Sequence, residues 1–187
     1  ASPPDEAVRA NDISSAVRAD AIVLENAEMR LVINANGSAH SLIHKPTGQE
    51  CLAKDTGETM FHVTQYRPYD NELQLAYPAK STDFAAEQVR REGDRLIVRF
   101  ENVGYEASIG VKITSSYIAF RLEGLKYIGY TSLRPKEKTP LDETVFIQLP
   151  ILNRKNLGEW LNVMWDEKVA VNLLGTDAVT QIDAKAR

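Results

Sequence analysis

Any chemistry in this chain would come from acids, three histidines, a single cysteine and a few polar-aromatic clusters. Neighbouring carboxylates occur at Asp70 with Glu72, Asp142 with Glu143, and Asp166 with Glu167, and Glu159 stands alone between the last two pairs. Paired acids suit glycosidic cleavage, where one protonates the leaving oxygen and the other attacks or activates water. All of these acids fall in or beside expected turns, where solvation alone explains them. Adjacency in sequence also leaves open the spatial separation that such a mechanism needs. His40 and His44, placed on a strand, would lie about 13 Å apart, too far to share one ion, so no metal site is expected. Cys51 reads as a small core residue at a strand start, with nothing nearby to mark an activated thiolate. Asn36-Gly37-Ser38 fits a glycosylation sequon, yet the turn alone explains Asn-Gly. A Gly-rich phosphate loop, a Gly-x-Ser-x-Gly elbow and a His-Glu-x-x-His pair are all missing, and no cofactor is expected.

The aromatic clusters point to binding. Sugar C–H faces stack on indole and phenol rings, and a few placed polar groups fix orientation. Trp160 and Trp165 flank one short apolar run, with Asn162 and Asp166 beside them. Tyr66, Arg67, Tyr69, Asp70 and Asn71 form a second cluster in a loop, and Tyr127 and Tyr130 precede a third, basic loop. The carbohydrate-contact candidates are therefore Arg67, Tyr69, Asp70, Trp160 and Trp165. Core packing is the competing reading of each ring.

The elements that must position these residues read as strands. Met29, Leu31 and Ile33 alternate with polar or opposite-facing neighbours, and Asn36-Gly37 then suits a type I′ hairpin turn into a return strand over 38–44. Residues 60–66 form a further strand. A single strand over 84–91 pairs across Glu92-Gly93-Asp94 with a strand over 95–101. Tyr105, Ala107, Ile109, Val111 and Ile113 give the cleanest alternation, and Ser115-Ser116 turns the chain into a strand over 117–123. Val145, Ile147 and Leu149 mark another, and Asp166-Glu167-Lys168 joins a last hairpin. About ten strands at spacings of about 8 to 15 residues, with little helix, predict an all-β, antiparallel two-sheet β-sandwich. Strand-helix-strand rhythm is missing, which argues against a doubly wound nucleotide-binding fold. The one long loop is expected at 131–143.

Composition narrows the class. The 187 residues are 43% hydrophobic and 26% charged, ordinary for a globular domain and enough for a core without disulfides. Twenty-six acids against 22 basic residues give a net charge of −4, with no excess positive charge for nucleic acid. No apolar run approaches the length that crosses a bilayer, so no transmembrane segment is expected. Ala1-Ser2-Pro3-Pro4-Asp5-Glu6 reads as a trimmed start, which suggests an exported, periplasmic or extracellular protein whose signal has been removed. The expected organisation is a leader over 1–20, a sandwich domain over 21–179, and a tail or linker start over 180–187.

Three stretches carry a resemblance. Leu24-Glu25-Asn26, the run Met29 through Ser38 with its Asn-Gly turn, and Leu42 through Leu52, including Lys45-Pro46-Thr47-Gly48-Gln49-Glu50, resemble the opening of N-terminal β-sandwich domains of bacterial glycoside hydrolases and polysaccharide lyases. In several such families these domains are galactose-mutarotase-like supersandwiches. Trp165 through Val171 and Gly175 through Ala178 are similar to the exit of such a domain toward a catalytic module. The resemblance implies a non-catalytic accessory domain that supports a C-terminal catalytic domain and engages an oligo- or polysaccharide. It carries over no catalytic residue, because the catalytic acids of those enzymes belong to the following module. Two alternatives stay open: a self-contained mutarotase-like epimerase or lyase, with a histidine and a carboxylate on a concave sheet face, and a cell-surface interaction module with an exposed apolar patch or edge strand.

Overall fold

The computed structural model describes residues 20–54, 56–67, 80–129, 141–158 and 161–182. The expected leader, apart from Asp20, and the tail beyond Ile182 lie outside these residues, as does the long loop up to residue 140. In chain order the strands are β1 (Ile22–Glu25), β2 (Met29–Ile33), β3 (Ala39–His44), β4 (Gln49–Glu50), β5 (His62–Arg67), β6 (Lys80–Ala85) and β7 (Gln88–Glu92). They continue with β8 (Arg95–Phe100), β9 (Tyr105–Ile113), β10 (Ile118–Tyr127), β11 (Glu143–Val145), β12 (Asn156–Gly158), β13 (Val163–Trp165) and β14 (Ala170–Asn172). The protein is nearly all β and antiparallel, as the alternation predicts. Among the described residues the strands fall into four sheets: β1-β2-β3-β4, β10-β9-β8-β7, β11-β5-β6 and β12-β13-β14. Among the described residues, no helix is long and apolar enough to cross a membrane.

All four sheets contribute to one core. Leu24, Leu31 and Ile33 come from the first sheet, and Val63 joins them from β5. Leu96, Val98, Phe100, Tyr105, Ala107 and Ile109 come from β8 and β9, and Val169 arrives from the turn before β14. In β9 the period is two: Tyr105, Ala107 and Ile109 are buried, and Glu106, Ser108 and Gly110 are less so. The outward residues form cross-strand ion pairs. Arg99 sits opposite Glu106 and meets it at 2.9 Å, while Arg95 reaches Glu123 at 2.6 Å. Such exposed pairs contribute at most about 1 kcal/mol each. Glu123 occupies a bulge where the β9–β10 register shifts between Leu122 and Gly124, and its side chain passes over Gly110. A Cβ on Gly110 would sit 2.5 Å from the Glu123 carboxylate, so the missing side chain opens that route.

Several local expectations change. The β2–β3 turn is not type I′, because of its two central candidates only Gly37 has positive φ, at 82°. Gly37 N–H donates to Asn34 C=O, and Asn34 N–H to Ser38 C=O. This is a three-residue loop with glycine in the left-handed position, the next commonest solution after the two-residue turn. The loop is built into the core. Met60 N–H donates to Gly37 C=O, Val89 N–H to Ala35 C=O, and a Cβ on Gly37 would meet Val89 at 3.1 Å. The single strand expected over 84–91 is two strands that change partner at Ala86 and Glu87. Ala86 N–H still donates to Phe61 on the β5 side, whereas Glu87 N–H already donates to Arg99 in β8. The strand expected over 145–149 is shorter as a ladder: β11 ends at Val145, and the chain then runs on to an isolated bridge between Ile151 and Leu52. β12 carries too little alternation to be seen in sequence.

Candidate functional site

The small sheet β12-β13-β14 carries the one carbohydrate candidate whose side chain is described. Trp165 ends β13, paired with Asn156 on one side and Ala170 on the other. Its side chain is 37% exposed, so the ring is neither core nor free. It lies against Gly158, where a Cβ would come within 3.3 Å of the ring and 2.9 Å of Val163. Glycine at that position of β12 leaves the space that one edge of the indole takes up. Asn162, just before β13, takes φ 48°, a left-handed conformation that asparagine tolerates well. Arg67 ends β5 opposite Lys80. The Arg67 side chain, Tyr69, Asp70 and Trp160 lie outside the described residues. Asp70, Glu72 and Glu159, as candidate acids, lie there as well.

Next to Trp165, the Asp166-Glu167 pair separates. Glu167 meets Lys155 at 2.7 Å. Asp166 turns the other way: its Oδ1 accepts the Lys168 and Val169 amides at 2.8 and 2.9 Å, and its Oδ2 accepts Arg154 Nη1 at 2.6 Å. The two backbone amides, with Arg154 adding to them, hold its carboxyl at about 2. A carboxyl that acidic stays ionised and accepts hydrogen bonds; it is not a general acid. In the other described pair, Asp142 is tied by its backbone to Thr64, and Glu143 opens β11.

Arg154 carries no sequence motif, yet it joins distant parts of the chain. Its side chain is only 6% exposed. Besides Asp166, it donates from Nη2 to the Cys51 sulfur at 3.3 Å. Cys51 is 2% exposed, as its core reading predicts, and burial pushes its thiol up despite the nearby guanidinium. It is a packed thiol and not a nucleophile. Glu50, one residue earlier, is held on all sides: it accepts the Ser41 hydroxyl at 2.7 Å and the amides of Leu42, Cys51 and Leu52 at 2.8 to 2.9 Å. Glu50, Arg154 and Asp166 border an open cavity of about 330 Å³, lined also by Gln49, Leu152 and Asn153.

The chain matches no protein-family model, no curated protein and no solved structure. Function therefore rests on geometry and chemistry.

A larger, polar cavity of about 740 Å³ opens where the β2–β3 loop meets β7 and the end of β8. Asp20, Asn34, Asn36, His40, Glu87, Gln88 and Glu101 line it, together with Ala35. Glu87 is already engaged there: its carboxylate accepts the Glu101 amide at 2.8 Å and both the backbone and side-chain nitrogens of Asn102, which fixes the β8–β9 turn. His44, by contrast, closes its own turn through Thr47 Oγ1 at 2.7 Å. His40 and His44 thus serve different sites, and among the described residues no group of three or more His, Cys, Asp or Glu side chains could hold a metal ion.

Proposed function

We propose that this chain is a non-catalytic β-sandwich accessory domain of a bacterial glycoside hydrolase, exported to the periplasm or beyond, which supports a catalytic module and binds glycan. One observation carries the reading: Trp165 is an exposed indole on the small sheet, packed beside a glycine. An exposed indole offers apolar surface for the C–H side of a sugar, and Asn162 and Asp166 lie close to it in the chain. The same end of the molecule exposes Leu157, Leu161, Leu173 and Leu174. Exposed apolar side chains around a small sheet suit a surface that a catalytic module covers. The all-β, antiparallel architecture is what such a domain requires.

The test is direct binding of neutral oligosaccharides to the chain, read by calorimetry. Trp165→Ala should reduce affinity about tenfold or more, in line with an aromatic anchor, while leaving thermal unfolding close to wild type. Absence of binding to every glycan tried, or binding that Trp165→Ala leaves unchanged, overturns the glycan-binding part of the reading.

A second reading, a mutarotase-like epimerase or lyase, is favoured by the larger cavity, where His40 shares the lining with Asp20 and Glu101. Histidine with a carboxylate is the usual acid–base pairing for proton transfer at a sugar carbon. It predicts turnover by these 187 residues alone, abolished in His40→Ala.

A further inference from the structure

The smaller cavity carries hydrogen-bonding capacity that the fold leaves unused. Arg154 donates from Nη1 and Nη2, but its Nε–H, buried with the rest of the side chain, has no partner among the described residues. Gln49, on the edge strand β4, presents a buried Oε1 that likewise accepts nothing. One atom is a donor and the other an acceptor, and both residues line the same cavity. Leaving buried polar groups unmet is costly, so native folds do so sparingly and such groups call for an explanation.

We propose that this cavity is a subsite for a neutral, hydroxyl-bearing group, a single sugar ring of the glycan invoked above, and the proposal rests on that reading. A hydroxyl is both acceptor and donor, so the hydroxyls of one ring can take Arg154 Nε–H and give a proton to Gln49 Oε1. The volume lies at the small end of ligand pockets, which begin at about 300 Å³. As the side chains lie, both atoms are shut off from solvent. Entry therefore requires a side-chain shift, and Gln49, half-buried at a sheet edge, has a soft terminal torsion that allows one. Charge selects against acids. Asp166 neutralises Arg154, and the fixed Glu50 carboxylate leaves the lining one negative charge in excess. A uronate or phosphate entering here would face that charge without a free cation to meet it.

The experiment is a nuclear magnetic resonance titration of the full chain with cellotetraose, mannotetraose and galactotetraose, and with tetragalacturonate as the acidic probe. The signals followed are Arg154 Nε–H, the Gln49 side-chain amide and the Trp165 indole N–H. The expected result is a saturable shift at Arg154 Nε–H and Gln49 with at least one neutral sugar, and none with tetragalacturonate. Gln49→Leu should weaken that sugar about tenfold, the upper end for losing one hydrogen bond between neutral groups. If that variant does not fold, Asn153→Ala tests the same wall from an exposed position, and the wild-type Arg154 signal decides alone. Shifts confined to the Trp165 indole would overturn the subsite and leave glycan binding standing. Equal or tighter binding of tetragalacturonate would overturn the neutral class. No shift with any sugar would overturn both the subsite and the glycan reading.

Discussion

At Asp166 two kinds of partner act on one carboxylate: the amides of its own turn and the guanidinium of Arg154, twelve residues earlier. Its folded value of about 2 lies below the ordinary 3.8, so protons bind more weakly to the folded chain than to the unfolded one. The stabilisation is complete above the ordinary value and is lost as pH falls through the range from there toward 2. Glu25, Glu167 and Asp177 are lowered in the same sense, Glu25 and Glu167 mainly by lysine partners and Asp177 by the Thr180 side chain. We expect the urea midpoint of Asp166→Asn to lie below wild type near neutral pH and to fall less steeply on acidification. The two should converge at the acid end, because asparagine can still accept the turn amides; parallel curves would show that the carboxylate's charge plays no part. At this scale the sequence is only half legible. Asp166 stands out in a turn, but its partner Arg154 lies in a stretch without periodicity, and Cys51 is 103 residues away from that arginine. Pairings of that kind have no local signature, because only the tertiary fold brings the side chains together.

Strands are legible where one face meets the core and the other meets water. β9 announces itself through Tyr105, Ala107 and Ile109 because the pleat sends alternate residues inward. Strand boundaries are harder, since they depend on which partner the backbone pairs with. Residues 84–91 look continuous, yet the ladder passes from β5 to β8 at Ala86 and Glu87. β12 consists of Asn156, Leu157 and Gly158, too short and too polar to show a period. Turns follow the same rule: Asn36-Gly37 marks a reversal correctly, but the extra hydrogen bonds to Met60 and Val89, not the dipeptide, decide its form. Those bonds place Gly37 where it needs both positive φ and the absence of a Cβ. Gly37→Ala should cost about 2–4 kcal/mol, combining left-handed strain with overpacking against Val89 and Ala86. Chemical denaturation measures it, and a loss under about 1 kcal/mol would show that the loop can withdraw from the core.

For the molecule as a whole, four sheets share one hydrophobic cluster, and none of them buries its apolar face alone. The all-β class follows from alternation summed over many strands, whereas the division into four sheets follows from long-range pairings such as β11 with β5. The passage of the chain from one sheet to the next at Ala86 and Glu87 leaves no slack there, because consecutive amides are bonded to different sheets. The hairpin turn at Gly93 and Asp94 has more room: Gly93 has nothing within 4 Å of where a Cβ would be, and among the described residues the turn's one backbone bond beyond its own hairpin runs from Val111 N–H to Asp94 C=O. Extra chain can therefore be spliced in at one place and not at the other. A short flexible peptide inserted between Gly93 and Asp94 should leave the melting temperature within a few degrees of the parent, since lengthening an open loop costs little entropy. The same peptide between Ala86 and Glu87 should yield a chain that no longer melts cooperatively. A reporter, an affinity handle or a new chain terminus accordingly belongs at the first site, and the crossover is a joint that engineering should leave closed.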